Sequence, residues 1–139
     1  MLTRELALAL RDAGVTWAPG KGDRFFVPDR DLDDEVFVVS DMVVEVLDVP
    51  GAGRILAFNG TTEWALDSLE ARAAVWLPRE EQLRVLLGDA FVSCERVPGP
   101  DEAYAVTVTG ERPDRRGPER HVDVDVESAY ARALLAVLP

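Results

Sequence analysis

Hydrophobic residues at helical spacing predict three amphipathic helices. The first spans residues 2 to 13, where leucines and alanines recur every three or four positions and Gly14 follows as a C-cap. The second begins at Pro78, a residue that suits the first helical position, and ends at Gly88. The third runs from Val126 to Leu138. The apolar face of the second helix is expected to contain three leucines: Leu83, Leu86 and Leu87.

Segments rich in β-branched and aromatic residues, bounded by turn-forming residues, predict strands. They cover residues 24–27, 36–39, 43–47, 54–58, 73–76, 91–97, 103–109 and 120–126. The turn-rich segment Pro50–Gly53 predicts an antiparallel pairing of the third and fourth strands. Alternation in the last strand predicts an apolar face formed by three valines: Val122, Val124 and Val126.

The order of these elements predicts an α+β fold, because consecutive strands dominate and repeated βαβ units are absent. We expect a two-layer sandwich in which a mainly antiparallel sheet carries N-terminal, central and C-terminal helices. A partly closed barrel fits the same pattern. The length of 139 residues suits one hydrophobic core, so residues 1–139 are predicted to form a single domain.

The charge and cysteine content narrow the possible partners. A formal net charge of −11 repels phosphate backbones and anionic lipids, which argues against nucleic acid and membrane surfaces. An unknown protein, a small ligand or a second copy of the chain is expected instead. Cys94 is the only cysteine, which excludes an internal disulfide. Together with an N-terminal segment that lacks a secretory apolar run, this predicts a cytoplasmic protein.

The segment after the fourth predicted strand concentrates groups that bind ligands. It contains a glycine amide, hydroxyls, a side-chain amide, a carboxylate and an indole at a break in the pattern. We predict a ligand or partner site formed by Asn59, Thr61, Thr62, Glu63 and Trp64. The alternative is a turn whose hydroxyls satisfy its own backbone while Trp64 packs in the core.

A second candidate lies near the last predicted helix. His121, Asp123 and Asp125 alternate with valines, which would place their side chains on one strand face within reach of a single metal ion. A half-buried strand with a solvated outer face gives the same pattern. Because His121 is the only histidine, a two-histidine metal site is excluded, and no cofactor is predicted. General-base catalysis by His121 stays open, although no nucleophile is tied to it.

Two further motifs are incomplete. Asp29, Asp31 and Asp33 have the spacing of the first calcium ligands, but Asp34 stands where an EF-hand loop needs glycine. Two interpretations of this acidic segment remain: a weak surface cation site or a solvated acidic turn. The glycines between residues 14 and 22 do not have the spacing of a phosphate-binding loop.

Cys94 and the arginines near residue 115 each have two interpretations. Cys94 lies in a predicted strand, where a buried structural cysteine is more usual than a catalytic thiol. The only basic cluster could dock an anionic partner or form a solvated hairpin loop. It consists of Arg112, Arg115, Arg116 and Arg120.

Four segments resemble a family of short, uncharacterised bacterial proteins of actinobacterial type. They are Gly22–Asp29, Phe37–Met42, Phe58–Asp67 and Trp76–Leu83, and the similarity spans about residues 2 to 90. Some members of this family are labelled pilus assembly proteins. The resemblance implies a bacterial source and a related fold, and it carries over no catalytic residue.

The sequence shows no coherent set of nucleophile, base and oxyanion donors, which favours a small binding or regulatory module over an enzyme. The alternative is a small hydrolase or metal-assisted enzyme that uses the His121, Asp123, Asp125 face or the Asn59–Trp64 turn. The polar residues that line the deepest pocket would decide between the two.

Overall fold

A computed structural model of the chain describes residues 1–28, 35–39, 44–49, 53–58, 68–70, 73–110 and 117–139. The helices among these residues are α1 (Arg4–Asp12), α2 (Glu80–Leu87) and α3 (Val126–Val137). The strands are β1 (Arg24–Phe26), β2 (Phe37–Val38), β3 (Val44–Val49), β4 (Gly53–Phe58), β5 (Ser68–Glu70), β6 (Val75–Leu77), β7 (Phe91–Val97), β8 (Ala103–Thr109) and β9 (Pro118–Asp123). A short 3₁₀ helix, Gly88–Ala90, follows α2.

The α+β fold class is confirmed. The described strands form three antiparallel sheets of three strands each, in the orders β2-β1-β6, β3-β4-β5 and β7-β8-β9, where one larger sheet was expected. The packing divides the chain into two compact units: unit 1 contains Met1–Val15 and Pro78–Pro139, and unit 2 contains Thr16–Leu77. The single-domain organisation of residues 1–139 stays a prediction.

Local capping sets the limits of α1 in unit 1. The Thr3 hydroxyl oxygen accepts a hydrogen bond from the Leu6 amide at 3.3 Å and so satisfies one of the free donors of the first turn. The helix ends before Gly14, whose φ of +99° favours glycine. Ala7 and Leu10 lie on its buried face. The predicted helix is confirmed with slightly shorter limits.

The other two helices also begin at polar caps. α2 begins after Arg79, whose amide donates to the Gln82 side-chain oxygen at 2.9 Å, so Pro78 lies just outside the helix. Gly88 ends α2 as predicted. α3 begins after Asp125, whose carboxylate accepts a hydrogen bond from the Ser128 amide.

The sheet β7-β8-β9 of unit 1 carries α3 on one face. Val106 and Val108 of the central strand β8 are buried. Ala129 and Ala133 of α3 are also fully buried, and their small side chains permit close approach of the helix. The Tyr130 ring stacks on Phe91 of β7 at a centroid distance of 5.9 Å. The helix and this face of the sheet therefore form the core of unit 1.

Val122 of β9 and Val124, the residue directly after this strand, both point outward. Val122 is 44% exposed and Val124 is 68% exposed, so the predicted apolar face of this segment is wrong. The strand ends at Asp123, earlier than predicted, because Asp125 caps α3 and already belongs to the next element. The strand does alternate between a covered and an exposed side, but the covered side is the polar one.

Unit 2 contains the other two sheets. Its described core consists of Phe25, Val27, Val39 and Ala74, with Trp17, Phe37 and Ala73 packed against it. The Trp17 ring lies 5.4 Å from Phe25 and 6.5 Å from Trp76 between centroids. The Trp17 indole N–H donates to Asp23 Oδ2 at 2.9 Å. This bond joins the two ends of the segment over residues 17–23.

The middle of the chain differs in part from the prediction. The antiparallel pairing expected around Pro50–Gly53 is confirmed, since β3 pairs with β4 and Val49 lies opposite Gly53. Residues 50–52 lie outside the described residues. The predicted strand over 73–76 corresponds to β6, which begins two residues later and ends one residue later, and β5 was not predicted. Among the helices of the described ranges, none has the length and apolar character needed to cross a membrane.

Candidate functional site

The candidate site is an open groove in unit 1 with a volume of about 620 Å³, which lies in the range of small-molecule pockets. Its walls come from the ends of two helices. Leu86 and Leu87 of α2 form one side, and α3 contributes Leu134, Val137 and the C-cap Leu138 to the other. The groove is therefore lined mainly by aliphatic side chains.

Leu86 explains why the groove is open. The predicted apolar face of α2 included Leu83, Leu86 and Leu87, but only Leu83 and Leu87 are buried. Leu86 is 39% exposed and lines the groove. Its side chain is thus available to a ligand, whereas the other two leucines hold the helix in place.

The rim of the groove is made by backbone turns. Gly88 has a φ of +55°, which lets the chain leave α2 and form the 3₁₀ helix that places Asp89 and Ala90 beside the groove. Gly110 follows β8, and a Cβ atom there would lie 3.4 Å from Cγ1 of Val137. This distance is close to van der Waals contact, so the backbone at Gly110 lies directly beside α3.

The chemistry of the groove suits binding. Asp89 is the only ionisable side chain among the described residues that line it, and Thr109 supplies the only side-chain hydroxyl in the same set. The described lining holds no histidine, cysteine, lysine or arginine, so no nucleophile is paired with a base there. An apolar surface with few polar groups can hold an apolar ligand and orient it.

The predicted ligand site at Asn59, Thr61, Thr62, Glu63 and Trp64 lies outside the described residues. The same is true of the acidic segment with Asp29, Asp31 and Asp33, and of Arg112, Arg115 and Arg116. These interpretations stay predictions. Arg120 of β9 is described, and its Nε atom lies 3.8 Å from Oε1 of Glu95 on β7, on the other side of the central strand β8.

Of the three polar residues near α3, His121 and Asp123 lie on the same side of β9, and Asp125 lies outside the strand. Asp123 accepts a hydrogen bond from Nε of Arg132 at 2.9 Å, and Asp125 lies beyond the end of β9 as the cap of α3. Nε2 of His121 lies 3.4 Å from Oε2 of Glu119. Within the part of the chain that the structure describes, no group of three acidic, histidine or cysteine side chains is arranged to hold a metal ion. The described geometry of this trio therefore does not support the alternative in which the three side chains share one metal ion.

Asp125 is held in its charged form. Burial opposes ionisation, but hydrogen bonds from the Met1 ammonium at 2.8 Å and from the Ser128 hydroxyl and amide outweigh it, so the pKa of Asp125 is lowered. Its carboxylate therefore acts as the N-cap of α3.

Cys94 lies on the side of β7 that faces α3. Burial raises the pKa of its thiol, and a hydrogen bond with the Tyr130 hydroxyl and the nearby Arg84 charge only partly offset this effect. Burial and the bond to Cys94 also raise the pKa of Tyr130. Both groups stay protonated at neutral pH, which favours the structural interpretation of the cysteine.

The groove is not visible in the sequence, because its lining residues come from separate segments of the chain. The signals that could have been noticed were Leu86, an extra leucine on α2, and the apolar last turn of α3 with Val137 and Leu138. Neither predicts a shared groove without the packing of α2 against α3. No protein-family model, curated protein or solved structure matches this chain. The function is therefore inferred from the geometry alone.

Proposed function

We propose that this protein is a small, non-enzymatic cytoplasmic binding module whose ligand occupies the groove of unit 1. The observation that carries the proposal is the groove itself, about 620 Å³ in volume and lined by aliphatic residues of α2 and α3. A ligand that covers this surface removes apolar area from water, and burying one leucine-sized group contributes about 1.5 to 3 kcal/mol.

The absence of catalytic pairs supports binding over catalysis within the described lining. Asp89 is exposed and has no histidine, cysteine or basic side chain beside it among the lining residues of the described ranges. Efficient catalysis needs a nucleophile or general base held within hydrogen-bond reach of its partner. The groove offers shape and apolar contact instead.

The test is a titration of isotope-labelled protein with 1-octanol, followed by amide chemical shifts in NMR spectra. We expect the shifts that change most to belong to Leu86–Ala90, Thr109–Gly110 and the last turn of α3. Leu86→Lys should weaken binding by at least about fivefold, because it removes an apolar contact and places a charge in the groove.

The matched control is Val85→Lys. Val85 is the neighbouring residue of the same helix and is 79% exposed, but it does not line the groove. This variant adds the same charge to α2 and should bind 1-octanol as the unmodified protein does. Equal weakening by both substitutions, or shift changes spread evenly over unit 1, would show that the groove is not a binding site.

A further inference from the structure

We infer that the groove selects a small organic amine, namely an apolar body that carries a primary ammonium group. The inference deepens the binding function proposed above and rests on it. It follows from the sign of the charges that the described residues place around an aliphatic surface.

Asp89 supplies a full negative charge at the rim. It is the only ionisable side chain among the described residues that line the groove. Its side chain is exposed, so the carboxylate is hydrated and bears no cost of burial. An ammonium group bound beside it would stay partly hydrated while the apolar body covers the leucines.

Two helix ends add partial charge of the same sign. α2 and α3 both reach the groove with their C-terminal residues, Leu86 and Leu87 in one case and Val137 and Leu138 in the other. The last carbonyl groups of a helix lack intrahelical donors and carry about half a negative charge. A cation near such an end is stabilised, and an anion is repelled.

Among the described residues, basic side chains do little to cancel this field. α3 has no basic residue in its last turn. The last turn of α2 contains Arg84, but its guanidinium carbon lies 4.4 Å from the centroid of the Phe91 ring, outside the groove lining. The formal net charge of −11 adds a long-range attraction for cations. The groove has the size of a small-molecule pocket, which favours a small amine over a larger cationic partner as the occupant.

The experiment compares three probes of equal chain length: n-octylamine, 1-octanol and octanoate. Each is titrated into labelled protein at low ionic strength, and dissociation constants come from the groove resonances. We expect octylamine to bind most tightly and octanoate most weakly, with a difference of about tenfold between them. The difference should shrink at higher salt, because exposed charges are screened.

Asp89→Asn tests the origin of the preference. It should weaken octylamine binding by about twofold to fivefold more than it changes 1-octanol binding. The matched control is Asp101→Asn, which removes the same charge from an exposed residue of the turn between β7 and β8, outside the groove lining. This control should leave both affinities unchanged.

The outcomes separate the two proposals. If 1-octanol binds the groove but octanoate binds as tightly as octylamine, or if Asp89→Asn and Asp101→Asn behave alike, the amine preference is wrong and the binding function stands. If no probe affects the groove resonances, the binding function itself fails. If the free protein sediments as a dimer that Leu86→Lys dissociates, a second copy covers the groove and the amine inference is overturned.

Discussion

Glu127 is a nearly buried carboxylate, 9% exposed, that connects three segments of unit 1. Its Oε2 atom accepts a hydrogen bond from the amide of Glu80, the first residue of α2, at 2.9 Å. Its Oε1 atom accepts one from the amide of Leu2, just before α1, at 3.3 Å. Glu127 itself lies in the first turn of α3. One side chain thus joins the starts of all three helices, and these bonds offset the cost of burying its charge.

We expect Glu127→Ala to lower the free energy of unfolding by about 2 to 4 kcal/mol, because the buried Leu2 amide and the partly buried Glu80 amide would lose their acceptor. Urea unfolding followed by circular dichroism measures the change. Glu5→Ala is the control, since Glu5 lies in the first turn of α1 and is exposed. Its effect should stay within about 0.5 kcal/mol. A similar loss in both variants would mean that the Glu127 hydrogen bonds contribute little.

At the scale of an element, α3 depends on Asp125. This residue caps the helix through the Ser128 amide at 2.9 Å and the Ser128 hydroxyl at 2.8 Å. Its lowered pKa means that the folded state favours the carboxylate more than the unfolded state does. A depressed pKa contributes stability that is fully present above the unfolded pKa and is lost as the pH falls through the folded pKa.

We therefore expect the stability difference between the unmodified protein and Asp125→Asn to be constant near neutral pH and to shrink from about pH 5 downward. Urea unfolding over a series of pH values measures it. Thr3→Ala provides the comparison, because the Thr3 cap of α1 is uncharged and its loss should cost about 1 kcal/mol at every pH. A difference for Asp125→Asn that does not depend on pH would contradict the role of its charge.

At the scale of the whole molecule, the two compact units differ in their spectroscopic signals. All three α-helices of the described residues belong to unit 1. The three tryptophans of the chain, Trp17, Trp64 and Trp76, all fall within the Thr16–Leu77 span of unit 2. Helical circular dichroism therefore follows unit 1, and tryptophan fluorescence follows unit 2.

The predicted single domain requires the two signals to change together during unfolding. We expect coincident urea transitions, because a chain of 139 residues has the size of one cooperative domain. Glu127→Ala, which lies in unit 1, should then shift the tryptophan transition of unit 2 by the same amount. Two separated transitions, or a shift in only one signal, would show two independent domains.

Some features of this protein follow from the sequence by itself. The ends of α1 and α2 were predicted within about two residues, because Thr3, Gly14 and Gly88 act on amides and carbonyls only a few positions away. The pairing of β3 with β4 was also predicted, since a short turn determines which strands meet. The α+β class follows from the order of these local elements.

Only the tertiary structure decided the remaining features. Alternation along β9 is visible in the sequence, but Val122 faces outward because α3 covers the other side, where Arg132 pairs with Asp123. The division of the described strands into three sheets depends on pairings between distant segments, such as β1 with β6. The groove likewise exists only because α2 and α3 end beside each other, with Leu86 and Val137 on its two sides. Burial and long-range contact are properties of the folded chain, so no local pattern could specify them.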